Sequence, residues 1–163
     1  LAAFQRIRDS ATNNLAASIN AYVMQDEARH VTFGRLALRD YYPQLSDAER
    51  AEREEFAVEA LYFMRDRFNQ AEVWERSGLP VDELVKFAYQ SSAMQAFRGR
   101  LFTRIVPILK EIGLFGPKVQ KALGDMGVMG YAEIDVEQLI ANDLKVADDF
   151  DAKKFVKDAI AAE

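Results

Sequence analysis

The sequence has no cysteine and a single histidine, His30. The missing cysteine excludes a disulfide scaffold, a thiolate metal site and a cysteine nucleophile. With one histidine, no metal cage can draw two imidazoles from one copy of the chain. Glycine and proline are scarce, at 8 and 4 of 163 residues, which leaves room for long unbroken elements. Positive charge is not in excess. The net charge of −5 argues against a general nucleic-acid-binding surface. No run of about 18 apolar residues occurs, so no helix is expected to span a membrane. The opening Leu1-Ala2-Ala3-Phe4-Gln5-Arg6 has no basic leader before an apolar stretch and is not a signal peptide. These absences read as a cytoplasmic protein without nucleic-acid or membrane partners.

What is present is an ordinary globular balance, half hydrophobic and 29% charged, in a chain long enough to bury one core. The charge is uneven. Residues 1–130 carry 17 basic and 17 acidic groups, whereas residues 131–163 carry 4 and 9 and hold the whole net charge. That tail reads as a solvated acidic surface.

Helix formers dominate and the two-residue alternation of strands is nearly absent, so the fold class is all-α, a helical bundle. Residues 1–8 read as the end of a helix with no capping residue before it, the pattern of a fragment or processed chain. Asp9 to Asn14 is a break rich in capping residues. A long helix follows from about Leu15 to Asp40, closed by Tyr42-Pro43 because the residue before proline avoids the α region. Ser46-Asp47-Ala48-Glu49 is a capping box that opens a helix to about Arg76. Its charged first turns (Glu49 to Glu55) read as a solvated face, and Phe56, Ala60, Phe63, Met64 and Phe68 as a core stripe at helical spacing. Gly78 suits a left-handed helix end. A third stretch runs from Leu79-Pro80 to Ile112, with Pro107 expected to kink or split it. Residues 113–130 hold five of the eight glycines and read as short helices and turns, Pro117 opening one of them. Asp135 caps a helix to about Lys145, and an amphipathic helix runs from about Asp151 to Ile160. The expected division is 1–42, a partial bundle with the chemistry-bearing helix, and 43–163, a helical extension packed on it.

One constellation carries chemistry. In Gln25-Asp26-Glu27-Ala28-Arg29-His30, Glu27 and His30 are three apart and share a helix face. Along that face lie Ala16, Val23, Gly34, Ala37 and Tyr41, all apolar or small, so a carboxylate and an imidazole are expected on a buried stripe. A lone buried carboxylate costs several kcal/mol unless paired or metal-bound, and a bound cation would offset that. The spacing alone is weak: 13 glutamates among 163 residues give about an 8% chance of one three before the histidine. A core His–Glu pair without metal is the alternative.

Asp26-Glu27-Ala28-Arg29-His30 resembles the second Glu-x-x-His helix of the ferritin-like di-iron carboxylate superfamily, sharply over about residues 22–38 and only topologically elsewhere. The resemblance implies the C-terminal part of a ferritin-like di-iron fold with extra C-terminal helices. It implies that Glu27 is a carboxylate ligand and His30 a terminal imidazole ligand, with no catalytic residue beyond the ligands. Asp26 would bond the ring N–H of a ligand histidine on a neighbouring helix, Arg29 would pair with a nearby carboxylate, and Tyr22 would be a redox or hydrogen-bonding group. The cofactor implied is iron, a di-iron centre, or manganese; the activity is oxidation of an organic substrate with O₂ and electrons from a reductase. The departure is large, since such a site takes a Glu and a Glu-x-x-His from each of two helix pairs and residues 1–8 contain no acid. Three arrangements account for that: a missing N-terminal half of the same protein, a second copy completing the site by symmetry, or a metal-free relic. As an isolated fragment the chain is expected to be inactive, its site incomplete or empty. The other function class is a non-catalytic helical interaction or structural domain without metal.

Overall fold

The structure, a computed structural model, describes the backbone of residues 1–161 and the side chains of residues 1–153. It is all-α, with no strand among the described residues. The helices are α1 (Ala2–Ser10), α2 (Asn14–Tyr41), α3 (Asp47–Asp66), α4 (Ala71–Arg76), α5 (Val81–Gln90), α6 (Ser92–Glu111), α7 (Pro117–Asp125), α8 (Val136–Asp143) and α9 (Val146–Ala161). They form two compact units, one of residues 1–38 with 135–163 and one of residues 39–134.

In the first unit, α2 buries Ala17, Ala21, Met24, Ala28 and Arg35. These positions follow one side of the helix at three- and four-residue steps. Side chains of α2 reach α8 and α9 at three places. Arg35, 3% exposed, is ion-paired with Glu137. Gln25 Oε1 accepts from the amide of Ala147 at 2.8 Å, near the start of α9. Tyr22 donates its hydroxyl proton to Asp151. The acidic tail is therefore not only solvated surface. Glu137 and Asp151 bind α2, and Asp143 is buried.

The second unit has the larger apolar core. Ala57 and Leu61 of α3, Phe102 and Val106 of α6, and Val119 and Leu123 of α7 meet there with Ile112, Leu114, Val128 and Ala132. The capping box forms as expected. Ser46 Oγ accepts from the Glu49 amide, and the Ser46 amide donates to Glu49 Oε2 at 2.9 Å. Pro117 is at the start of α7, and the Asp135 side chain caps α8 by accepting from Gln138 N–H at 3.0 Å. Gly78 has φ +66° and closes α4. The Leu79 amide bonds Trp74 O and the Gly78 amide bonds Glu75 O, both at 3.0 Å, the six-to-one and five-to-two pair of a left-handed helix end.

Four expectations are corrected. The helix from Ser46 does not reach Arg76. It ends at Asp66, passes through a 3-10 turn at Arg67–Asn69, and turns at Gln70 with φ 57°. Side-chain contacts hold this interruption. Phe68 meets Phe97 edge to face at 4.9 Å, and Trp74 Nε1 donates to Asn69 O at 2.8 Å. The stretch from Leu79 to Ile112 breaks at Ser91, which is extended, and α6 runs unbroken through a buried Pro107. Arg98 stabilises the break by donating to the last carbonyls of α5, those of Ala88 and Tyr89. The charged start of α3 is not wholly solvated: Glu54 is 9% exposed. Finally, Phe56 and Phe63 are 68% and 67% exposed rather than core. They lie with Ala60 and Met64 along an open groove on α3.

Glu54 explains a glycine. A Cβ on Gly116 would lie 1.6 Å from Glu54 Oε1, although the backbone there suits any residue. Gly116→Ala is expected to destabilise the chain by about 1–3 kcal/mol through overpacking, and Glu54→Ala should restore most of that loss; a double-mutant cycle in urea measures both. The hydrogen bond from Ser46, then that from its backbone amide, holds the Glu49 carboxyl below its ordinary value. A carboxylate with a folded-state value below its unfolded one contributes stability at neutral pH, lost as the pH falls through the folded value. Ser46→Ala is expected to return the Glu49 titration toward the ordinary range and to cost about 1 kcal/mol of stability at neutral pH, read by NMR titration and denaturant melts.

Candidate metal centre

Glu27 and His30 meet on α2 as their spacing requires. Glu27 Oε2 is 3.3 Å from His30 Nδ1. The pair is not on the buried side. Their side chains are 44% and 75% exposed, which corrects the expected buried stripe. At about 100° per residue, Glu27 is roughly a quarter turn from the stripe Ala17, Ala21, Met24, Ala28, and His30 is nearly opposite it. The reason lies in α2 itself, which carries two apolar stripes back to back. One is mostly alanine and is buried. The other is Leu15, Ile19, Tyr22 and Phe33, which are 71%, 52%, 50% and 76% exposed. His30 flanks this open stripe.

The neighbours have partners of their own. Arg29 forms an ion pair with Asp26 one turn away on the same helix. Arg29 thus has its carboxylate, and Asp26 faces a guanidinium. The Tyr22 hydroxyl is bonded to Asp151. That hydrogen bond, and then the negative charge of Asp151, push the Tyr22 phenol above its ordinary value, so it stays a protonated donor.

The donor types suit iron or manganese: a carboxylate oxygen and a ring nitrogen. Their number does not. Among the described residues no three His, Cys, Asp or Glu side chains gather as a metal-binding group. A di-iron carboxylate site takes four carboxylates and two histidines from four helices, and this chain offers one of each. The residues present do not fit a di-iron centre on their own.

The all-helical fold and the Glu-x-x-His step on α2 agree with a ferritin-like class. Within that class, the family model of p-aminobenzoate N-oxygenase AurF matches residues 4–113. The chain belongs to this family, a ferritin-like family of di-iron enzymes. No curated protein and no solved structure gives a significant match.

Three features escaped the sequence reading: the Arg35–Glu137 pair, the buried Glu54 and the buried Arg98. Nothing local marks any of them. A charged residue at a core position of a helix looks like one at the surface until its partner, far along the chain, is known.

The open stripe has a measurable consequence. The 163-residue chain is expected to bind a hydrophobic dye and to self-associate with rising concentration, as uncovered apolar helix faces do. Ile19→Lys and Phe33→Glu should reduce both. Sedimentation showing a dye-silent monomer at high concentration would contradict this.

Proposed function

We propose that this chain forms the C-terminal part of a di-iron oxygenase, in which Glu27 provides a carboxylate ligand and His30 an imidazole ligand. The carrying observation is the 3.3 Å Glu27–His30 pair on the uncovered side of α2, within the span of the family match. Both side chains are accessible to a covering element, and an apolar stripe runs beside them. The remaining ligands come from a polypeptide that covers this side, either an N-terminal half of the same protein or a second copy. The Asp26–Arg29 ion pair lies beside His30 on α2 and sets the charge at the edge of the site, and Tyr22 lies farther along the helix, bonded to Asp151. Iron held by the completed site would supply O₂ activation, and the whole protein would oxidise an organic substrate with electrons from a reductase. The family description, N-oxygenation of p-aminobenzoate, offers an amine as the substrate class. The isolated chain is inactive, because one carboxylate and one imidazole do not hold two metal ions.

A second reading, a metal-free helical interaction domain, draws support from the exposed Phe56 and Phe63 on α3. Metal analysis separates the two. The longest natural form, given Fe(II) and O₂, is expected to hold about two irons per chain with a matching optical spectrum. Glu27→Ala and His30→Ala should abolish this without unfolding, since both side chains are solvent-accessible. The isolated chain should hold substoichiometric iron. Unchanged iron content in both variants removes the site assignment, and no iron in the longest form favours the second reading.

A further inference from the structure

Arg98 is a buried cation of the second unit that the di-iron reading does not use. It is 8% exposed. Its Nη1 donates to Asn69 Oδ1 at 3.5 Å and to Ala88 O at 3.4 Å, and its Nη2 donates to Tyr89 O. The guanidinium carbon lies 4.8 Å from the centre of the Tyr89 ring. Every one of these partners is neutral. No carboxylate pairs with Arg98 among the described residues. Burying a cation without a counter-ion is costly, and the carbonyl end of α5 offsets only part of a unit charge.

Arg98 lines a cleft of about 350 Å³ between the ends of α3 and α5, helix α6 and the turn after α7, a size within the range of small-ligand sites. The acids near the cleft are already engaged. Asp66 holds Arg65 through two bonds at 2.7 and 2.6 Å, and Asp125 holds Lys121 at 2.6 Å. The Tyr131 hydroxyl also lines the cleft and has no hydrogen-bond partner among the described residues. It fits because residue 99 is glycine: a Cβ there would lie 2.8 Å from that oxygen. Buried Phe102 and Val128 make an apolar floor.

We propose that this cleft binds a small organic carboxylate, with Arg98 as its counter-ion and the Tyr131 hydroxyl as a second donor. One uncompensated cation matches a monoanion. Phe102 and Val128 leave room for only a small apolar group beside the carboxylate.

The test is NMR titration of the 163-residue chain with cyclohexanecarboxylate, its neutral carboxamide and inorganic phosphate. Saturable shifts are expected at Gly99, Gly127, Tyr131 and the Arg98 side-chain N–H for the carboxylate. The carboxamide should bind at least about tenfold more weakly, because a charge-assisted bond is lost. Tyr131→Phe keeps the shape of the wall and should weaken the carboxylate about three- to tenfold. Gly99→Ala should block it by displacing Tyr131. The proposal is overturned if no saturable shift appears, if the carboxamide binds equally well, or if the Arg98 N–H does not move. Phosphate binding as tightly as the carboxylate would also overturn it. Iron binding at Glu27 and His30 is a separate measurement, so either reading can fail without the other.

Discussion

The burial of one side of α2 constrains the whole first unit. Ala17, Ala21 and Ala28 carry single-carbon side chains, and Met24 fills the space between them. Three polar side chains, Arg35, Gln25 and Tyr22, fasten the helix to α8 and α9. Arg35 is the costliest of these to bury, and Glu137 offsets that cost. Once this side is committed, Leu15, Ile19 and Phe33 on the opposite side stay open, with Tyr22 at the edge, half exposed and tied to Asp151 by its hydroxyl. The Glu27–His30 pair goes with it to the accessible half of the helix.

An exposed acid–imidazole pair and an exposed apolar stripe on one helix are two expressions of the same geometry. Isolated apolar side chains on a surface are normal. A row of Leu15, Ile19 and Phe33 along one helix, beside a carboxylate and an imidazole, is a continuous feature rather than scattered exposure.

In the second unit the recurring device is a charged side chain inside a tight corner. Glu54 occupies the space a side chain at residue 116 would need. Arg98 gathers the end of α5 and Asn69 onto α6. That gathering separates α5 from α6 at Ser91. A helix-breaking proline within α6 has no such effect, because Pro107 is held in the core on a helix whose neighbours already fix its path.

Local chemistry was legible in the sequence wherever partners lie within a turn or two. The Ser46–Glu49 box, Gly78 after α4, Pro117 opening α7 and Asp135 capping α8 all depend on side chains bonding backbone three or four residues away. The Glu27–His30 approach and the Asp26–Arg29 pair follow from helical spacing for the same reason. The interruptions at Gln70 and Ser91 were not legible, since Phe97, Asn69 and Arg98 create them from elsewhere in the chain. Nor was the return of residues 135–163 to the first unit.

By itself, then, the sequence determined an all-helical chain, most of its caps, and the approach of Glu27 to His30 on one helix, because helical periodicity and capping are properties of neighbouring residues. Only the tertiary structure decided which of two apolar stripes on α2 is buried. Both satisfy the same three- and four-residue spacing, and the choice rests on partners more than a hundred residues away, Glu137 and the amide of Ala147.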